Sequence, residues 1–294
     1  MTSTIERKVP RDPCAARRAR LSLLVSFVSL VSMAGLTACG GMPRPKYPIE
    51  EASSALSRYE ATSAPLRAVR AEARVDQRGK QGRVRGTVLM FVERGQRVRF
   101  DVMTQFGPIA ILTSDRERFA FADLREQRYL TGPTCPRNIA RLIGVPLSVD
   151  ETSRFLLGGT PLIASSQPRI EWRDDGFYRV TLVDERGARQ VLDLAVYPED
   201  TSAPVDAQRL YLVRSSMMRP DGSLAWRVTC EDHSLFRADG VEVRLPTVVH
   251  VEQPATGSDT LVRFKQITLN PAIPEQAFVQ DKRAGMIEEE ASCE

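Results

Sequence analysis

GRVRGTVLMFVERGQRVRFDVM, residues 82–103, decides the fold class. Val84, Gly86, Val88, Met90 and Val92 alternate with Arg85, Thr87, Leu89 and Phe91. After Arg94-Gly95 the alternation resumes, with Val98, Phe100 and Val102 set against Arg97, Arg99 and Asp101. A period of two sends successive side chains to opposite faces, so each run predicts a half-buried β-strand. The glycine between the runs accepts the backbone of a tight turn cheaply, so the pair reads as an antiparallel hairpin.

The same grammar extends in both directions. Turn signals recur at Arg78-Gly79, Asp175-Gly176, Arg186-Gly187, Asp221-Gly222 and Asp239-Gly240. Between them the pattern predicts strands near 66–77, 82–92, 96–103, 108–113, 116–122, 125–130, 169–173, 177–184, 188–197, 208–214, 224–231, 241–251 and 258–268. This is an antiparallel meander with no βαβ repeat. Helical spacing appears in three places. Ile49, Ala52, Leu56 and Tyr59 form a stripe closed by Pro65. Residues 138–143 follow, and then 148–157, where Ser148 and Glu151 stand at capping-box spacing and Gly158-Gly159 supplies the stop. Val149, Phe155, Leu156 and Leu157 give this last pair of helices an apolar face.

Composition sets the remaining bounds. Of 294 residues, 42% are hydrophobic and 27% charged, which excludes collagen, low-complexity disorder and a disulfide-dense miniprotein. Lys and Arg number 41 against 37 acids. Residues 1–38 hold Arg7, Lys8, Arg11, Arg17, Arg18 and Arg20 against Glu6 and Asp12, so the rest of the chain carries 35 of each sign. A neutral body exerts no general pull on nucleic acid. Arg17, Arg18 and Arg20 precede an uncharged stretch, Leu21 to Ala38, which ends in small residues at Cys39; this is the order of an export signal. An uncleaved membrane span is the alternative, weakened by shortness and by its serines and threonines. GGMPRPKYP, residues 40–48, reads as a spacer.

Chemistry-bearing motifs are few. The histidines are His233 and His250; Cys230-x-x-His233 has a metal-compatible spacing, but no second Cys/His pair completes a tetrahedral set. No P-loop, dinucleotide fingerprint, G-x-S-x-G or H-E-x-x-H occurs. Beyond the leader and Cys39, Cys135, Cys230 and Cys293 permit one disulfide and one free thiol, with the pairing open. No catalytic constellation emerges, and no cofactor or metal is expected.

Four segments resemble the LolA/LolB lipoprotein-localisation family, most nearly LolB-like outer-membrane lipoprotein receptors, beneath a Leu36-Thr37-Ala38-Cys39 sequence that resembles a lipobox. They are Ala71-Glu72-Ala73-Arg74 with Arg97-Val98-Arg99-Phe100; Thr104-Gln105-Phe106-Gly107-Pro108; Leu142-Ile143-Gly144-Val145-Pro146-Leu147 through Phe155-Leu156-Leu157-Gly158-Gly159-Thr160-Pro161; and Asn270-Pro271-Ala272-Ile273-Pro274-Glu275-Gln276-Ala277-Phe278. The match covers roughly residues 66–161 and this tail; 169–268 matches only in alternation and is longer than a compact LolB would require.

The resemblance implies a mainly β fold: one antiparallel, strongly curved, incomplete barrel with a helical lid. Its domain plan is a signal peptide at 1–38, a tether at 39–48, the half-barrel at 49–280 and a polar tail at 281–294. It implies acylation of Cys39 by diacylglycerol and a palmitate-type chain, with Gly40 after it favouring the periplasmic face of the outer membrane. It further implies a monomeric, non-enzymatic acceptor of acylated lipoproteins from their periplasmic carrier, or of another amphiphile. Inward residues would be Val98, Phe100, Val102, Ile109, Ile111, Phe119 and Phe121, with Leu142 and Leu156 from the lid. Phe106, before Gly107 and Pro108, would enter the membrane or touch acyl chains. Each expectation has an ordinary counterpart: alternating apolar residues line a filled core, Phe106 folds back on the barrel end, and the fold serves as a protein-binding scaffold. A hydrolase would require Cys230 and His233 to share a pocket. A one-residue register slip would exchange the two faces of any strand.

Overall fold

The computed structural model describes residues 44–80, 82–95, 97–143 and 146–293, without the side chains of 142 and 143. The expected leader, the expected lipid attachment at Cys39 and the Leu142 side chain lie outside the described residues. One compact unit holds the body. Among the described residues no helix is long and apolar enough to cross a membrane.

A helix, α1 (Ala52–Ser63), leads into a six-strand meander: β1 (Ala68–Gly79), β2 (Gly82–Glu93), β3 (Arg97–Thr104), β4 (Gly107–Ser114), β5 (Arg118–Asp123) and β6 (Arg128–Pro133). Two helices follow, α2 (Pro136–Ile143) and α3 (Val149–Leu156). The chain then crosses to the far edge and returns through β7 (Arg169–Arg173), β8 (Phe177–Val183), β9 (Arg189–Val196), β10 (Leu210–Met218), β11 (Leu224–Ala238), β12 (Val241–Gln253) and β13 (Ser258–Leu269). β13 pairs with β1, which joins the two meanders into one sheet. The sheet curves without closing: β7 is one edge, and the other is β14 (Ile287–Glu290), laid parallel on β6. This is the mainly β, curved and incomplete barrel with covering helices that the sequence leads one to expect.

The alternation of the opening stretch becomes the core through register. Val88 faces Val102, Met90 faces Phe100 and Val92 faces Val98, so all six share one side of the sheet. These residues join a single cluster with Ala52, Ala55 and Tyr59 of α1 and with Val149 and Phe155 of α3. The ring of Phe155 packs edge-on against Trp226 of β11, 5.0 Å between centroids, so the lid touches the second meander as well as the first. Each such apolar side chain withdrawn from water contributes about 1.5–3 kcal/mol.

Local signals act where the sequence places them. The Ser148 hydroxyl accepts from the Glu151 N–H, and the Glu151 carboxylate accepts from the Ser148 N–H, which starts α3. Asn270, at the head of the family-like tail, clasps the start of β1. Its Oδ1 accepts from the N–H groups of Arg67 and Ala68, while its Nδ2 donates to the Pro65 carbonyl.

Two expectations are corrected. β11 runs to Ala238 rather than ending near 231: Asp232 takes a left-handed backbone (φ +52), yet the register with β12 is unchanged across it, Glu231 pairing with Val248 and His233 with Pro246. A left-handed residue breaks the extended backbone locally, so a strict period-two reading stops there. Residues 281–294 are not a bare polar tail. They hold β14, a two-point Arg128–Glu289 ion pair and the Cys135–Cys293 disulfide, Cα atoms 6.1 Å apart, and Met286 joins Ala120, Ala122 and Tyr129 in a second small core on the convex face.

Candidate functional site: an apolar groove beneath the helical lid

α3 does not seal the concave side completely. A cavity of about 100 Å³ remains between it and β1, β2, β3, β12 and β13. Its wall is almost wholly apolar, built by Val75, Val84, Val88, Met90, Phe100, Val102, Phe155, Leu156, Val249, Val251 and Val262. Gly86 contributes no side chain there; a Cβ would lie 3.5 Å from Val102, in ordinary contact. The buried hydroxyls of Thr152 and Thr260 also line the wall, and neither has a hydrogen-bond partner among the described residues. Gln77, Val84 and Val102 continue into a wider opening of about 590 Å³ at the end of the half-barrel. That opening lies between the β1–β2 and β5–β6 turns and helix α2. It carries Lys80, Arg125, Arg137 and Arg141 against the single carboxylate of Asp123.

The expected inward residues divide by position. Phe100, Val102 and Leu156 line the groove, while Ile109 and Phe121 border the opening. Val98 and Phe119 are on the concave side but sit in closed core, at 0% and 1% exposure. Ile111 is corrected. It pairs with Asp101 and Ala122, whereas Phe100 and Phe121 pair with Leu112, so Leu112 faces inward and Ile111 faces the convex side. The bulge between Val102 and Met103 sets that phase, one residue away from what the run Ile109-Ala110-Ile111-Leu112 suggests. The wall residues of β12 and β13 alternate plainly in sequence, but their closeness to β1 depends on a pairing across almost the whole chain.

Phe106 does not fold back; it is 91% exposed at the β3–β4 turn. The Thr104 hydroxyl holds the turn, accepting from the Phe106 N–H and donating to the Gly107 carbonyl. Gly107 adopts φ +113, a backbone that only glycine takes readily. Val102, Ile109 and Ala110 of the same hairpin border the opening, so Phe106 stands at the open end of the groove.

The hydrolase condition is not met. Cys230 pairs with Val249 on the concave side, 2% exposed, and burial pushes its thiol up to about 12. His233, three residues on in the same register, falls on the convex face by plain alternation, where its ring packs on Tyr211 at 4.5 Å and its Nε2 lies 2.9 Å from the Leu212 carbonyl. The free thiol is Cys230, the pairing left open by the sequence being Cys135–Cys293.

No family model and no curated protein matches the chain. Among solved structures, a LolA superfamily protein from Nitrosomonas europaea is similar at 11% identity and TM-score 0.49, over 79% of this chain and 98% of its own. An outer membrane lipoprotein-sorting protein domain from Vibrio parahaemolyticus is similar at 10% identity and TM-score 0.44, over 77% of this chain and 95% of its own.

Proposed function

We propose that this chain is a non-enzymatic acceptor of acyl chains, anchored through Cys39 on the periplasmic side of the outer membrane, that takes acylated lipoproteins into its half-barrel and aids their insertion. The observation that carries the reading is the apolar groove under α3, open at the end where Phe106 is held out to solvent. Each methylene that leaves water for such a wall gains about 0.8 kcal/mol. A short segment of chain in the groove, with the remainder in the wider opening, is worth several such steps. Transfer needs no cofactor, since a cavity that binds the chain more tightly than the donor runs downhill by differential affinity. Phe106 supports delivery to the membrane, because an exposed aromatic on a rigid turn can enter a bilayer at little entropic cost.

The test uses the full chain with Cys39→Ala, incubated with an acylated lipoprotein on its periplasmic carrier and then with liposomes. The parent takes the lipoprotein and passes it on. Phe106→Glu takes it and fails to deliver it. Failure of the parent to take any acylated cargo overturns the reading. The alternative, a protein-binding scaffold of the same fold, is favoured by the extent to which residues such as Val98 and Phe119 already fill the concave side.

A further inference from the structure

The opening of the groove is charged in one sense. Lys80 comes from the β1–β2 turn, Arg125 from the β5–β6 turn, and Arg137 and Arg141 from α2, one helical turn apart. The one carboxylate among them, Asp123, spends its Oδ1 on the backbone N–H groups of Arg125 and Glu126. Arg141 donates to Asn138, whereas Lys80, Arg125 and Arg137 make no ion pair among the described residues. Pairing elsewhere is partial: Arg97 meets Glu93, Arg179 meets Asp193 and Arg209 meets Asp200 and Glu242, while other exposed arginines such as Arg116 and Arg186 form no ion pair among the described residues. What sets the opening apart is that four cations and one carboxylate converge on the mouth of an apolar hole. At the neck, Thr260 faces Gln77 across the β1–β13 ladder and offers a buried hydroxyl with no partner among the described residues.

We propose that the groove's ligand is an anionic single-chain amphiphile, its acyl chain against the apolar wall and its carboxylate or phosphate held at the opening by Lys80, Arg125, Arg137 and Arg141. The proposal rests on the acyl-binding reading above and narrows its ligand class. A neutral or cationic head would leave the cluster unmatched, and an anion without a chain would forgo the wall. The opening, about 590 Å³, lies within the range of about 300–1,000 Å³ usual for small-ligand sites. The Thr260 hydroxyl is placed to donate to an ester or carboxyl oxygen where head joins chain.

The experiment measures affinities of the full chain with Cys39→Ala for hexadecanoate, hexadecyl phosphate, hexadecanol, hexadecyltrimethylammonium and inorganic phosphate. The two anions are expected to bind at least about tenfold more tightly than hexadecanol, the scale of one charge-assisted hydrogen bond. The tighter of the two identifies the headgroup. Hexadecyltrimethylammonium is expected to bind no better than hexadecanol, and inorganic phosphate not to compete. Arg125→Gln/Arg137→Gln, two exposed side chains outside the core, is expected to remove the anion preference and leave hexadecanol unchanged. Gly86→Phe, which fills the groove, is expected to weaken all the chain-bearing probes together. Equal binding of hexadecanol and the anions, or an equal loss of all probes in the double variant, overturns the headgroup assignment and leaves acyl binding standing. Binding of phosphate alone likewise overturns it. Binding of no amphiphile overturns both readings.

Discussion

Gly158 shows how much one residue decides. It closes α3 with φ +71, and a Cβ there would lie 2.6 Å from the Cδ of Pro246 on β12. Gly158→Ala combines a left-handed backbone with an unavoidable clash, so the expected cost is about 2–4 kcal/mol, read as a lower denaturation midpoint. His233 is a second such residue. Burial beside Tyr211 and Arg244 lowers its imidazole from the ordinary 6.5 to about 4. The unfolded chain therefore takes up a proton that the folded chain refuses between those values. Stability is full above about pH 6.5 and falls as the pH drops toward 4; His233→Gln, able to keep a donor to the Leu212 carbonyl, is expected to flatten that part of the pH–melting curve relative to the parent. The Gly158 stop is legible in the sequence, because glycine ends helices. The His233 environment is not, since Tyr211 and the Leu212 carbonyl reach it from the neighbouring strand β10.

At the scale of elements, local chemistry was the readable part. The hairpins between 82 and 131, the capping box of α3 and the glycine turns follow from short-range pattern, and each stands where that pattern puts it. Strand phase was less readable wherever a bulge intervenes, which is why Ile111 and Leu112 exchange faces. β14 was unreadable: Ile287-Glu288-Glu289-Glu290 has one apolar residue, and its strand exists because β6 offers a free edge and Cys293 is tied to Cys135. The bond closes a span of 158 residues, so Cys293→Ser is expected to cost about 2–5 kcal/mol, seen in denaturant melts under non-reducing conditions. Hydrogen exchange should show β14 and the second core around Met286 losing protection, while acyl binding is retained, since the groove lies on the opposite face.

For the whole molecule, the groove exists because β13 returns to pair with β1, and that closure brings Val249, Val251 and Val262 opposite Phe100 and Val102. No window of the sequence contains both walls. The cations at the opening, by contrast, all come from the first meander and helix α2, although the body carries no net charge. Whether this space holds acyl chains is read out by site-directed photo-crosslinking in cells. A benzoyl-phenylalanine in place of Leu156 lines the groove; one in place of Val183, 45% exposed on β8, does not. If the groove holds acyl chains, position 156 crosslinks to acylated species and position 183 does not. No acylated crosslink from 156, or equal yields from both, contradicts the claim.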